Sequence, residues 1–330
     1  MFIPIATHDV LIVLVIAPNG QMNYAPTPLL STGAGPVWAA VGPSNRFVYT
    51  ANFLDGTVSA FTLNTTKGTL VTVAGSPFSA GTAPGAVAVD PSSTLVYTAN
   101  NNSNNVSGFK INTDGSLTPV PGSPFAAGSQ PAQGIAAASS FVYVNNVGSS
   151  DISAYSRDAS GTLTPLAGSP FPLGATASGP ESLALDPAGK FFFTANMNSN
   201  NISAFTVNAD GSFTAVPGSP FAAGNSSQYL VTDRTGTHLY VVNVNDNSVG
   251  GYNIASSGAL TPIAGSPWQT GFQPEGLSVD AANKFLFVAN CGDGSISAFN
   301  LNADGTLSEL NGSPFFIAAG GCPQSVATSH

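Results

Sequence analysis

Short apolar runs alternate with polar turn sequences along almost the whole chain. The region 182–216 shows four of them in succession, here called strands a to d: Ser182–Leu185, Phe191–Ala195, Ile202–Val207 and Ser212–Val216. These runs are rich in Val, Ile, Phe and Thr and are too short for helices, so they predict β-strands. The connections Asp186–Lys190 and Asn208–Ser212 contain Asp-Pro and Asp-Gly, which favour tight turns and predict antiparallel hairpins.

The four-strand pattern repeats in register with a Gly-Ser-Pro motif that is followed by Phe or Trp. Its copies are 46 to 50 residues apart and begin at Gly75, Gly122, Gly168, Gly218, Gly265 and Gly312. Four antiparallel strands repeated at this period predict the blade of a β-propeller. A closed ring of such blades accounts for all 330 residues as one domain.

The ends of the chain predict how the ring closes. Strand a occurs a seventh time, at Pro323–Ser329, with no strand b, c or d after it. Near the N-terminus, Phe2–Thr7 and Leu11–Ile16 fit strands b and c, and Met22–Pro28 fits a strand d that has lost its motif. We therefore predict an all-β fold, a seven-bladed β-propeller with four antiparallel strands per blade. Its composite last blade closes the ring with one C-terminal strand and three N-terminal strands, which leaves no free edge.

The predicted blades have approximate bounds that follow from this register. They are residues 36–78, 84–125, 131–171, 180–221, 227–268, 274–315, and 323–330 combined with 1–30.

Two cysteines lie beside the predicted closure. Cys291 follows strand b of the sixth blade, and Cys322 precedes the C-terminal strand a, so both belong to loops on one face of neighbouring blades. They are candidates for a disulfide, and two separate buried thiols are the alternative. A disulfide would fit an oxidising compartment. With only 7% charged residues and much Asn, Ser and Thr, the composition favours an extracytoplasmic protein, whether periplasmic, secreted or at the cell surface.

Charge and hydropathy exclude two kinds of partner. The chain has a net charge of −9 and only seven Lys and Arg residues, whereas nucleic-acid binding needs clustered basic side chains. The longest apolar run, Val10–Ala17, is far short of the roughly 20 residues that a membrane-spanning helix needs. We expect a monomer whose partner is a small polar ligand, a carbohydrate or another protein.

The basic and acidic side chains are predicted to lie on opposite faces of the ring. No Lys or Arg falls in the loops that join strand d to strand a or strand b to strand c, whereas these loops carry Asp9, Asp55, Asp151, Asp246 and Asp293. A negative potential on that face would favour cations or neutral polar ligands. The alternative is that these Asp residues only form turns. The Asn that closes strand b in six blades, from Asn52 to Asn290, is predicted to be structural because it repeats.

The start of strand a lies at the mouth of the central channel, where propellers usually bind ligands. Two blades carry a Glu directly after the first Pro of this strand, Glu181 and Glu275; other blades have Gln228 or Gln324 at this position. With Trp38, Gln133 and Tyr229 at the next position, these residues predict a polar cup with two aromatic walls. A solvated rim without a ligand is the alternative.

The two Glu residues and His8 are the candidates for acid–base chemistry. Glu181 and Glu275 could form an acid–base pair or share a divalent cation such as Ca²⁺; otherwise no cofactor is expected. The sequence has no metal-ligand spacing, no Gly-rich phosphate loop, and no set of Ser, His and Asp residues that the repeat would bring together.

The repeat from Val89 to Phe125 identifies a family. It reads Val-Asp-Pro, then Leu-Val-Tyr-Thr-Ala-Asn, then Val-Ser-Gly-Phe, then Asp-Gly-Ser-Leu-Thr-Pro-Val-Pro-Gly-Ser-Pro-Phe. This series resembles the seven-bladed propellers of the lactonase family, which include 6-phosphogluconolactonase-like proteins and the Tyr-Val-Thr-Asn (YVTN) surface repeats. The resemblance implies hydrolysis of sugar-acid lactones by His, Arg and acidic residues at the channel mouth.

This chain departs from the family at those positions. Glu181, Glu275 and Gln324 stand where the resemblance places His, and the loop Asn290–Gly294 lacks Arg. The leading hypothesis is therefore a non-catalytic binding or interaction scaffold without phosphosugar lactonase activity. Two alternatives stay open: a lactone hydrolase that uses Glu181 and Glu275, and a surface-layer or adhesion repeat.

Overall fold

A computed structural model describes residues 1–317 and 320–330, without the side chains of residues 132 and 133. The chain forms seven antiparallel β-sheets, one per blade, which confirms the predicted seven-bladed propeller. The described residues contain one helical turn, the 3-10 helix Val244–Asp246. The first sheet consists of β1 (Phe2–Ile5), β2 (Val10–Ile16) and β3 (Met22–Ser31).

Each of the other six sheets contains four strands, of which the outermost is interrupted and therefore has two labels. Blade 1 has β4 (Pro36–Val41), β5 (Phe47–Asn52), β6 (Thr57–Asn64), β7 (Thr69–Thr72) and β8 (Phe78–Ser79). Blade 2 has β9 (Pro84–Val89), β10 (Leu95–Asn100), β11 (Asn105–Ile111), β12 (Leu117–Pro119) and β13 (Phe125–Ala126). Blade 3 has β14 (Pro131–Ala137), β15 (Phe141–Asn146), β16 (Asp151–Arg157), β17 (Leu163–Pro165) and β18 (Phe171–Pro172).

The remaining three complete blades follow the same order. Blade 4 has β19 (Pro180–Leu185), β20 (Phe191–Asn196), β21 (Asn201–Val207), β22 (Phe213–Ala215) and β23 (Phe221–Ala222). Blade 5 has β24 (Ser227–Thr232), β25 (His238–Asn243), β26 (Ser248–Ile254), β27 (Leu260–Pro262) and β28 (Trp268–Gln269). Blade 6 has β29 (Pro274–Val279), β30 (Phe285–Asn290), β31 (Ser295–Leu301), β32 (Leu307–Glu309) and β33 (Phe315–Phe316).

The seventh blade is composite, as predicted. The C-terminal segment joins β1 through the bridges Phe2–Ala327 and Ile5–Pro323, and the amide of Phe2 donates to the carbonyl of Ala327 at 2.8 Å. The predicted strand Pro323–Ser329 is shorter in the structure, where it pairs at these isolated bridges and not as a full ladder.

The Gly-Ser-Pro motif lies inside the outermost strand, whereas the sequence pattern predicted that strand to end before it. In blade 4, β22 and β23 both pair with β21 and flank the motif. The hydroxyl of Ser219 accepts a hydrogen bond from the amide of Ala204 in β21 at 2.9 Å. The motif thus makes a bulge at which a side chain replaces one backbone acceptor of the ladder. The motif Ser of every complete blade makes the same contact, at 2.8 to 3.1 Å.

The apolar core lies between blades. One cluster joins blades 1 and 2 through Phe47, Tyr49, Val87 and Phe109, and similar clusters fill the other spaces. Buried Tyr hydroxyls add a polar link from one blade to the next; that of Tyr97, for example, donates to the Gly161 carbonyl at 2.8 Å. The innermost strands β4, β9, β14, β19, β24 and β29 contact one another in this order around the ring and line the channel.

Candidate functional site

A β-bulge begins the innermost strand and sets the direction of the mouth residues. In blade 4, Pro180 pairs with Asn196 and Ser182 pairs with Ala195, so Glu181 is the extra residue between them. The register shifts at the matching place in blade 6, between Pro274 and Leu277, a stretch that contains Glu275. Bulges re-aim side chains, and these two place Glu residues at the channel mouth instead of in the ladder.

Two aromatic rings meet across the channel. Trp38 of blade 1 and Tyr229 of blade 5 have ring centroids 5.4 Å apart with planes 32° apart, although these blades are not neighbours. Tyr229 is only 1% exposed, so it forms the floor of the mouth and not one of two separate walls as predicted. Trp38 is half-buried and also packs against the cores of blades 1 to 3.

The two Glu residues lie close to this floor and to each other. Burial, and then the charge of Glu275, raise the pKa of Glu181 from its ordinary 4.5 to about 7. Burial raises the pKa of Glu275 to about 7. Burial and the charges of both Glu residues hold the pKa of Tyr229 well above its ordinary range. Trp38, Glu181, Tyr229 and Glu275 therefore form one group, which we call the mouth cluster.

The other predicted ligand residues are arranged differently. The Nε2 of Gln228 lies 3.2 Å from the sulfur of Met197, so its amide turns along the rim of the mouth. Gln324 is half-buried, and its Oε1 has no hydrogen-bond partner within the described part of the chain. The side chain of Gln133 lies outside the described residues.

The Asp residues of the same face accept hydrogen bonds that stabilise the loops. The Asp55 carboxylate accepts from the amide of Ala34 at 2.6 Å, and that of Asp293 accepts from the amide of Phe272 at 2.8 Å. The Asn that closes strand b is likewise structural; Asn52 donates to the hydroxyls of Thr57 and Ser59, both at 2.9 Å. These acids add negative charge to the face while their oxygens hold the loops.

The basic side chains tie neighbouring blades together on the opposite face. Arg46 donates to the carbonyl of Thr113 and Lys190 to that of Ser256, each at 2.9 Å. The structure describes all seven Lys and Arg residues. Each lies in a turn on the face opposite the mouth, or in the part of a strand that is nearest to that face: Arg46, Lys67, Lys110, Arg157, Lys190, Arg234 and Lys284. His8 lies in an exposed loop of the composite blade on the mouth side, where its Nδ1 meets the hydroxyl of Thr7 at 2.9 Å.

A cavity of about 290 Å³ lies at the rim between blades 6 and 7, with Leu14, Tyr24 and Phe315 among its lining residues. Among the described residues that line it there is no carboxylate, His, Lys or Arg. Within residues 1–317 and 320–330, no three His, Cys, Asp or Glu side chains lie close enough together to hold a metal ion. The same residues contain no helix long and apolar enough to cross a bilayer.

The two cysteines are joined. The sulfurs of Cys291 and Cys322 form a disulfide, which connects the loop after β30 to the C-terminal segment. This bond links blade 6 to the composite blade on the face that carries the mouth.

Sequence reasoning missed one residue beside the mouth cluster. Asn145, in β15, is fully buried and donates to the carbonyl of Ser182, the residue after Glu181. The available signal was a break in the repeat, since the same place in the other complete blades holds Ala51, Ala99, Ala195, Val242 and Ala289.

Comparison with known proteins places this geometry in a family. The family described as "Lactonase, 7-bladed beta-propeller" matches residues 18–134, 118–216 and 211–316, which together span most of the chain. The chain belongs to this family. No curated protein matches it in sequence at a significant level.

Solved structures resemble this lactonase-family chain at low sequence identity. A candidate 6-phosphogluconolactonase of Bacteroides fragilis has a TM-score of 0.84 at 20% identity, covering 98% of this chain and 96% of its own. The periplasmic gluconolactonase of Pseudomonas aeruginosa has a TM-score of 0.78 at 17% identity, with coverages of 95% and 96%. Virginiamycin B lyase of Staphylococcus aureus has a TM-score of 0.62 at 15% identity, with coverages of 89% and 88%. At these identities the likeness is one of fold, because one fold carries several reactions.

Proposed function

We propose that this lactonase-family propeller hydrolyses an uncharged lactone at the mouth cluster. The observation that carries the proposal is the pair Glu181 and Glu275, whose pKa values both rise to about 7. At neutral pH such a pair holds one proton between two carboxyl groups, so one group can accept a proton while the other donates one. Strongly shifted pKa values of this kind concentrate at functional sites.

The pair suits the two proton transfers of lactone opening. Burial, and then the charge of Glu275, raise the pKa of Glu181. In this proposal Glu275 acts as the carboxylate and Glu181 as the proton donor. Glu275 then accepts a proton from water as the water oxygen bonds to the lactone carbonyl carbon. Glu181 gives its proton to the ring oxygen as the bond from that oxygen to the carbonyl carbon breaks. The product is a hydroxy acid, and each proton is accounted for.

Charge sets the expected substrate class. The mouth carries two Glu residues, its surrounding loops carry Asp55, Asp246 and Asp293, and all seven basic residues lie elsewhere. A negative potential without a basic partner repels phosphate, so a phosphorylated lactone should be a poor substrate. The same potential favours release of the acid that hydrolysis forms.

Proton release from an uncharged aldonolactone and from its 6-phospho form tests the proposal. We expect turnover of the uncharged lactone only. Glu181→Gln and Glu275→Gln should each reduce kcat at least about 100-fold, the usual contribution of a general acid or base. The control is Glu309→Gln, since Glu309 is exposed and outside the mouth cluster. Full activity in both mouth variants, or turnover of the phosphorylated lactone alone, would refute the proposal.

Binding without turnover is the second candidate. It is favoured by half-buried Trp38, whose ring packs on the buried Tyr229 and can stack against a sugar ring or a protein side chain at the mouth. A rise in Tm with uncharged sugars or the lactone, with no proton release above the blank, would support this role over hydrolysis.

We also propose that the protein works outside the cytoplasm. The Cys291–Cys322 disulfide supports this, because such bonds persist in oxidising compartments. Rapid thiol trapping in the native host would test it: recovery of both cysteines as free thiols would contradict an extracytoplasmic location.

A further inference from the structure

Asn145 breaks the repeat in a way that is costly for stability. Its side chain is 0% exposed, and the equivalent positions of the other complete blades hold Ala or Val. Its Oδ1 is buried and meets no hydrogen-bond donor among the described residues, which do not include the side chains of residues 132 and 133. A buried amide with an unsatisfied oxygen destabilises a protein, whereas Ala would fit here without that cost. The residue therefore calls for an explanation other than packing.

The amide nitrogen of Asn145 reaches across to the next blade. It donates to the carbonyl of Ser182 at 2.7 Å and to the hydroxyl of Thr194 at 2.8 Å. Ser182 directly follows Glu181 and closes the bulge that carries it. The Asn145 amide thus fixes the backbone at the residue that follows Glu181.

Ser182 continues the connection to a third blade. Its hydroxyl accepts from the amide of Leu230 at 3.1 Å, and Leu230 directly follows Tyr229. One hydrogen-bonded chain therefore links blade 3 to blade 5 and passes beside Glu181 and Tyr229, two members of the mouth cluster.

The other side of the channel provides an internal comparison. The hydroxyl of Ser325, which follows Gln324, accepts from the amide of Ala39 at 3.3 Å, beside Trp38. The position equivalent to Asn145 is here Ala289. The fold can therefore make the Ser contact without an Asn. The bulge of Glu275 follows a blade with Val242 at this place, so the Asn is specific to the Glu181 bulge.

We propose that Asn145 is a positioning residue for Glu181, acting through the carbonyl of Ser182. The inference rests on the proposed function in so far as Glu181 is its proton donor. By fixing the bulge, Asn145 keeps the Glu181 carboxyl near the Glu275 carboxyl and the Tyr229 hydroxyl, the titratable groups that interact with it. Without the amide the bulge can relax and admit water, which favours the charged carboxylate.

The test is a ¹³C NMR titration of the side-chain carboxyl groups in the unliganded protein. The chain has only three Glu residues, so each signal can be assigned with Glu181→Gln, Glu275→Gln and Glu309→Gln. In Asn145→Ala the pKa of Glu181 should fall by about 0.5 or more, because solvation favours the ionised form. The pKa of Glu309 should not move.

Thr194→Val is the matched control. It removes the other acceptor of the Asn145 amide, keeps the Ser182 contact, and introduces the residue that blades 3, 5 and 6 carry at this place. We expect an unchanged Glu181 titration in this variant. If Asn145→Ala does not fold, Asn145→Val, the blade 5 residue, serves for the same titration.

The outcomes separate this inference from the proposed function. An unchanged Glu181 pKa in the Asn145 variant, or an equal fall in Thr194→Val, would overturn the positioning role. Absence of lactone turnover in the unaltered protein would overturn only the proposed hydrolysis, because the titration needs no substrate. If turnover is present, Asn145→Ala should also lower kcat by about tenfold and move the pH profile, with little change in KM.

Discussion

The proposed chemistry depends on the carboxyl groups of Glu181 and Glu275, whose pKa values are raised mainly by burial. Glu181 is half-buried in a bulge above an aromatic floor, so its ionised form loses hydration that no nearby basic side chain replaces. Most carboxyls of this chain have a different environment; the carboxylate of Asp293, for example, accepts hydrogen bonds from Ser295 and from the Phe272 amide. The contrast between these two environments sets the mouth apart from the loops around it.

The raised pKa values predict an unusual dependence of stability on pH. The folded values of Glu181 and Glu275, about 7, lie above the 4.5 of an unfolded chain, so the protonated forms favour folding. This stabilisation is complete below about 4.5 and is lost as the pH rises through 7. Between pH 5 and pH 8 the protein should lose about 5 kcal/mol more stability than the double variant Glu181→Gln/Glu275→Gln, about half of it from each carboxyl.

Urea denaturation at several pH values between 5 and 8 measures this difference. Glu309→Gln is the control and should follow the unaltered protein, because Glu309 is exposed. If the double variant and the unaltered protein have parallel curves, the two carboxyls are not held in their neutral form.

The sequence predicted a set of mouth residues but not their contacts. Counting from the first Pro of strand a placed Glu181, Glu275, Trp38 and Tyr229 at one end of the channel. The register along a strand cannot give distances across a ring, and the Trp38–Tyr229 contact joins blades that are not neighbours. The role of Asn145 was hidden for the same reason, because its partners belong to the next blade.

At the scale of elements, the outermost strand of each complete blade is interrupted by the Gly-Ser-Pro motif, and the sequence pattern did not show that the strand resumes after it. Its residues were predicted as a short strand followed by a turn, whereas the structure has one interrupted strand, such as β22 and β23 in blade 4. Hydrophobic alternation detects the paired parts of a strand and not a bulge between them. The inner strands of blade 4 were predicted within one or two residues because each is a short apolar run bounded by turn residues.

The motif Ser gives a prediction for a single blade. In Ser219→Ala, the amide of Ala204 loses the acceptor that it contacts at 2.9 Å, inside a paired strand. The loss should destabilise the protein by about 1 to 2 kcal/mol. Ser212→Ala is the control, because Ser212 contacts Asp210 in an exposed turn and its removal should change stability by less than about 0.5 kcal/mol. Equal urea midpoints for the two variants would contradict this role of the motif.

For the whole molecule, the decisive step is closure of the ring. Six blades each have a complete sheet, but the seventh unites the chain ends through the Phe2–Ala327 and Ile5–Pro323 bridges. The mouth depends on this closure, since Trp38 in blade 1 meets Tyr229 in blade 5 only if the ring is complete. The repeat count predicted the closure; how few backbone pairs it uses could not be read from the sequence.

Because few backbone pairs close the ring, we expect the Cys291–Cys322 disulfide to stabilise the junction between the C-terminal segment and the rest of the propeller. It closes a loop of 31 residues, and in the chain-entropy account a loop of that size stabilises the folded state by about 3 to 4 kcal/mol. The double variant Cys291→Ser/Cys322→Ser should lose that amount in urea denaturation, and the unaltered protein should lose the same amount when reductant is added. Reductant should leave the double variant unchanged, which separates the disulfide from other effects of the reagent. If the double variant unfolds at the same urea concentration as the oxidised protein, the bridges between β1 and the C-terminal segment close the ring unaided.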